Sequence, residues 1–178
     1  MKLTGSNRKI LQISILLIVL VVGGFAIGKT FIKTTNNYPQ VGGEPPTMEL
    51  ADMEGNIHRI SDYKGKPYII NFWGTFCPPC VKEMPEFQRQ YEKWGSKGLK
   101  VLAINLSEDD LTVRNFLRKF ELEYTILRDR NKVTERQFGL KAYPTTYFVK
   151  ADGTIMEIYV GGMTESDINE RVENLFSN

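Results

Sequence analysis

Two residues of this chain are suited to sulfur chemistry, and only two prolines separate them in Cys77-Pro78-Pro79-Cys80. They are the only 2 cysteines in 178 residues, so no thiol is left over for a structural disulfide framework. A Cys-x-x-Cys pair has four readings: a redox couple, half of a zinc site, a haem attachment point, or accident. Zinc takes about four ligands, and beyond the pair the single histidine is the distant His58. Haem attachment places His directly after the second cysteine, where Val81 stands. Accident is a poor account of a motif that joins an apolar run, Tyr68-Ile69-Ile70-Asn71-Phe72-Trp73, to a segment of helical periodicity. The pattern therefore points to a pair that cycles between dithiol and disulfide.

Position assigns the two sulfurs different parts. Cys77 falls at a helix N-terminus, where the dipole and free backbone donors favour a thiolate. It is the sulfur to form a mixed disulfide; Cys80, one turn inside, resolves it. Pro78 and Pro79 carry no N–H, and no histidine lies between the cysteines. A thiolate with few donors makes a weak oxidant, which tilts the pair towards a reductant or an isomerase.

The elements that must hold this pair are legible around it. Tyr68–Trp73, apolar on both faces, reads as a central strand. After Pro78, Val81, Met84, Phe87, Tyr91 and Trp94 recur at helical spacing, with a kink expected at Pro85. Residues 47–50 and 57–60 read as a hairpin containing His58, taken as an ordinary hairpin residue. Leu99–Leu106 and Tyr124–Leu127 read as strands. Asp109–Phe120 reads as a helix burying Leu111, Phe116, Leu117 and Phe120, and Lys132–Phe138 as a short helix. Residues 145–160 form a hairpin around Asp152-Gly153, and Thr164 with Asp167 suits the cap of a last helix to Phe176. The order implies an α/β fold: a mixed central sheet with helices on both faces.

Composition adds limits. At 42% hydrophobic and 25% charged residues, with 10 Phe and 8 Tyr, the chain is globular. A net charge of +2 without a basic block argues against nucleic acid as a partner. Ile10–Ile27 is an uncharged apolar run about 27 Å long as a helix, close to a hydrocarbon core of about 30 Å. Lys2, Arg8 and Lys9 precede it; Lys29 and Lys33 follow. It reads as a membrane anchor, with a cleaved signal ending near Gly24 or Ala26 as the alternative. Either way the rest of the chain lies on the extracytoplasmic side. The expected organisation is an anchor over 1–28, a linker over 29–45 and one domain over 46–178.

The segment Phe72-Trp73-Gly74-Thr75-Phe76-Cys77-Pro78-Pro79-Cys80 with Glu83-Met84-Pro85 resembles the membrane-anchored thioredoxin-like proteins of the TlpA/ResA type. Residues 139–148, GLKAYPTTYF, and Asp152-Gly153 match a second landmark of that family. The resemblance covers about residues 45–176 and implies a thioredoxin-like fold and a thiol–disulfide oxidoreductase without a cofactor or metal. It implies that Pro144 is a cis-proline facing the cysteines, leaving the backbone of Tyr143 open to a client segment; on sequence alone Pro144 is equally a trans proline starting a strand. It also implies that Glu83, three residues after Cys80 and so within reach on one helical face, takes the Cys80 proton; without the resemblance a solvated surface charge is the favoured of the two readings. Asn71 departs from cytosolic thioredoxin, which has a buried aspartate there, and cannot carry protons itself. Phe76 is expected to be exposed beside Cys77 and to touch the client. Trp73 is expected with Phe76, Tyr143 and Pro144 among the residues that bind the client, where it could shield the disulfide; the alternative is that it simply fills the core. The partners implied are disulfide-bearing proteins, apocytochrome c among them, and an integral-membrane thiol carrier as electron donor.

Two other functions compete. A peroxidase of the peroxiredoxin class wants an Arg beside the attacking cysteine, and none adjoins Cys77. A copper-binding module wants a further His or Met ligand near the pair.

Overall fold

The structure, a computed structural model, describes residues 12–22 and 38–177. The chain divides into two units, Met1–Asn37 and Tyr38–Asn178. In the first, residues 12–22 form a helix, α1, with every side chain exposed. Among the described residues no helix is long and apolar enough to cross a membrane. Both ends of the apolar run 10–27, and its basic flanks, lie outside the described residues.

The second unit is built on seven strands: β1 (Glu49–Asp52), β2 (Ile57–Arg59), β3 (Tyr68–Trp73), β4 (Lys100–Leu106), β5 (Thr125–Asp129), β6 (Thr145–Val149) and β7 (Ile155–Val160). Between and after them run α2 (Pro78–Trp94), α3 (Asp110–Phe120), α4 (Val133–Phe138) and α5 (Glu165–Phe176). The sheet order is β2-β1-β5-β4-β3-β6-β7. β3, β4 and β5 are parallel, while β6, β7, β1 and β2 join antiparallel.

All six residues of β3 are buried, because alternate side chains enter different layers. Ile69 and Trp73 pack with Met84 and Phe87 of α2, Val113 of α3 and Ile168 and Val172 of α5. Tyr68, Ile70 and Phe72 pack on the other face with Phe138 of α4 and with Met48 and Tyr63. The mixed sheet with helices on both faces is thus present, and β3 delivers the chain from its middle to the cysteines.

Helix ends follow their caps. Pro78 and Pro79 occupy the first turn of α2, where a missing N–H costs nothing, and α2 continues as one helix through Pro85. Thr164 and Asp167 form the capping box of α5.

Three readings change. Leu111 is 66% exposed; the buried stripe of α3 runs through Val113, Phe116, Leu117 and Phe120, and Leu111 projects from the opposite side. Residues 38–46, assigned largely to a linker, belong to the folded unit: the Gly42 N–H donates to Ile155 O at 2.9 Å and the Ile155 N–H to Gly43 O at 2.8 Å. His58 ties its hairpin together, with Nε2 3.0 Å from Asp52 Oδ2 and Nδ1 2.5 Å from the Tyr63 hydroxyl.

Candidate active site

The end of β3 runs into a tight loop, Gly74–Phe76, and then into α2. The Cys77 N–H donates to Gly74 O at 3.1 Å. A Cβ on Gly74 would collide with the Phe76 ring, so glycine there lets the ring fold back over its own backbone. Cys77 is the N-cap of α2 and is bonded to Cys80, with S–S 2.06 Å and Cα–Cα 5.2 Å. Cys77 keeps 7% exposure and Cys80 none, so a client can reach only the first sulfur. Among the described residues the one backbone donor to Cys77 Sγ is the Cys80 N–H, at 3.3 Å; Pro78 and Pro79 supply none.

Beside the pair, the Tyr143–Pro144 bond is cis. Pro144 O accepts the Gly161 N–H at 2.9 Å, tying the start of β6 to the end of β7. Phe76 is 60% exposed and meets Tyr143 edge-on, with ring centroids 6.4 Å apart. Burial and a hydrogen bond to Glu135 push the Tyr143 hydroxyl well above its ordinary range, so it stays neutral. Trp73 has a different place: it is fully buried against Phe116, with centroids 5.0 Å apart. It is core, and the expectation that it touches a client is corrected by its position on the inner face of β3.

Glu83 is not a surface charge. It is fully buried on α2, one turn past Cys80. Oε1 accepts from Asn71 Nδ2 at 2.8 Å, and Oε2 from the Met163 N–H at 3.1 Å. Burial raises its pKa from 4.5 to about 7, against the pull of those two donors. A carboxyl poised there can give or take a proton near neutrality. Gly162 brings the Met163 segment against the motif; a Cβ at that position would lie 3.0 Å from Pro79 Cβ.

Further polar residues complete the site: Asn71, which the sequence marked only as a departure from thioredoxin's buried aspartate, and a group around Glu108 that the sequence did not mark. Asn71 Nδ2 also donates to Thr146 Oγ1 at 3.0 Å, while its Oδ1 has no partner among the described residues. A buried unmet acceptor costs about 1–3 kcal/mol. On the other flank, the Glu108 carboxylate accepts the Thr75 N–H at 2.8 Å, the Thr75 hydroxyl, and Asn105 Nδ2 at 2.6 Å. Arg128, 5% exposed, donates to Asn105 Oδ1 at 2.5 Å and to Glu108 O. This network pins the loop before Cys77. Its readable signal is polarity in the wrong place: Asn71 interrupts the buried apolar strand β3, and Asn105 the buried apolar run Val101–Leu106 of β4. Among the described residues no group of three or more His, Cys, Asp or Glu is placed to hold a metal ion.

Known proteins resemble this chain in sequence and fold. Residues 41–158 match the AhpC/TSA family. Thiol-disulfide oxidoreductase ResA of Geobacillus thermodenitrificans is 35% identical over 169 residues, covering 95% of this chain and 97% of the relative. The ResA of Bacillus anthracis is 32% identical over 162 residues, covering 91% and 93%. StoA from Bacillus subtilis superposes with a TM-score of 0.63 at 27% identity, over 72% of this chain and 97% of that one. A thiol:disulfide interchange protein of the thioredoxin family from Chlorobium tepidum superposes at 0.69, with 24% identity, over 75% and 96%, and so shares the thioredoxin-like fold. Relatives matched over nearly their whole length, together with a buried cysteine pair on that fold, place this chain in the AhpC/TSA family as a thiol–disulfide oxidoreductase of the ResA kind.

Proposed function

We propose that the chain is a reductase of disulfides in client proteins on the extracytoplasmic side of a membrane, held there by its N-terminal apolar segment. Apocytochrome c, whose haem-attachment cysteines must be reduced before ligation, is the client this reading favours. The observation that carries the direction is the poverty of donors at the Cys77 end of α2: in the disulfide form one backbone N–H among the described residues reaches Cys77 Sγ, at 3.3 Å, and the prolines in the next two positions have none to offer in either redox state. A reduced state stabilised so little keeps its electrons loosely and passes them on.

The cycle uses the residues described. Reduced Cys77 attacks the client disulfide, while Phe76, Tyr143 and the cis-Pro144 edge hold the client segment. Cys80 gives its proton to Glu83 and attacks Cys77, which releases the reduced client. An integral-membrane thiol carrier then returns the pair to the dithiol. Equilibration of the Cys77–Cys80 couple with a thiol buffer tests the direction: a midpoint near −270 mV, as in thioredoxin, is expected, and one near −120 mV, as in the oxidant DsbA, overturns it.

A further inference from the structure

Asn71 is the one polar side chain on a strand that is buried from end to end, and it faces α2 with half its carboxamide unmet. Nδ2 is committed to Glu83 Oε1 and Thr146 Oγ1; Oδ1 has no partner among the described residues. A leucine would fill the same space without an unmet acceptor, so packing does not explain the residue. What the carboxamide does is aim the carboxylate. With Asn71 on Oε1 and the Met163 N–H on Oε2, Glu83 is held by one donor on each oxygen.

We propose that Asn71 is a positioning residue for proton transfer from Cys80: its carboxamide N–H favours the ionised form of the Glu83 carboxylate and orients it to accept the Cys80 proton. The inference rests on the reading in which Glu83 is the base. In the resolving step the Cys80 S–H bond breaks and its proton goes to Glu83. The Cys80 sulfur bonds to Cys77, the bond from Cys77 to the client sulfur breaks, and the client leaves as a thiolate that takes a proton from water. The cysteine pair ends oxidised and the client reduced. The titratable groups around Glu83 are Cys80, three positions before it and so on the neighbouring turn of α2, and the Tyr124 hydroxyl, which burial keeps neutral. β3, β6 and the segment before α5 bring only neutral groups: Asn71, Thr146 and the Met163 N–H.

The test is the pH profile of single-turnover oxidation of the reduced full-length protein at insulin concentrations that saturate the first attack by Cys77, so that the resolving step limits, read as formation of the Cys77–Cys80 bond. The wild type is expected to lose rate on the acid side with a midpoint near 7. Asn71→Leu removes a donor to the carboxylate, so that midpoint moves up by about one unit: roughly a five-fold loss at pH 7, recovered at alkaline pH. Asn71→Asp keeps the volume and places a second carboxyl against Glu83, so its midpoint also moves up, which covers the case where the leucine variant does not fold. Glu83→Gln abolishes the acid limb. Should the limb survive in Glu83→Gln, the base assignment fails. A limb that vanishes in Glu83→Gln yet stays near 7 in the folded Asn71 variants overturns the Asn71 inference alone. A structural Asn71 would lower stability and leave the midpoint in place.

Discussion

Phe76 and Trp73 stand three positions apart, and exposure separates their parts. Phe76 gives 60% of its surface to solvent beside Cys77, whereas Trp73 gives none. Phe76→Ala is therefore expected to raise KM for a protein disulfide roughly ten-fold, about 1.4 kcal/mol of lost aromatic contact. The melting temperature and kcat should stay near wild type. Steady-state insulin reduction checks this, and an unchanged KM removes Phe76 from the client surface. The cysteines and Phe76 were readable because motif and position speak for themselves. Glu83 was harder: its helix face is visible in the sequence, but its burial depends on Asn71 and Met163 arriving from elements 12 and 80 residues away.

At the scale of elements, local signals worked where the cap lies next to the helix. Prolines at the start of α2 and the Thr164–Asp167 box marked two boundaries closely. Helix α4 lacks such a cap, since Lys132 stands at its N-cap with φ of 53°. Its first donors are met by Asp129 at the end of β5, which accepts the Val133 and Thr134 N–H groups at 2.8 Å and that of Glu135 at 3.1 Å. A strand residue capping the following helix leaves no short motif to read. Asp129→Ala should cost about 2 kcal/mol of stability, at the upper end for a lost cap, because it orphans several donors together. Urea unfolding measures that cost; a loss within error of zero would show that α4 does not depend on Asp129.

At the scale of the molecule, Glu83 couples stability to pH. Its pKa is raised on folding, from 4.5 to about 7, so the folded state binds the extra proton. The stabilisation is fully present below about pH 4.5 and is lost as pH rises through about 7. A shift of that size corresponds to about 3 kcal/mol. Asp52 acts the other way: burial would raise it, but hydrogen bonds from His58 and Asn56 hold it below its ordinary value, and its contribution is lost only in acid. Oxidised wild type should thus be less stable at pH 8 than at pH 5, and Glu83→Gln should flatten that slope. Equal slopes in the two proteins would place the Glu83 proton elsewhere. The sheet order, with β5 beside β1, was not legible in the sequence, because pairing between distant strands leaves no local mark. The alternation of strands and helices, and the mixed sheet they build, was.

One asymmetry underlies the proposed cycle: Cys77 meets the client and Cys80 releases it. Trapping tests it most directly, with insulin incubated against reduced Cys77→Ser and Cys80→Ser proteins and the adducts weighed by mass spectrometry. Cys80→Ser should accumulate a stable mixed disulfide through Cys77, while Cys77→Ser should accumulate none. A client adduct on Cys80 in the Cys77→Ser protein, or none in either, would contradict the assignment.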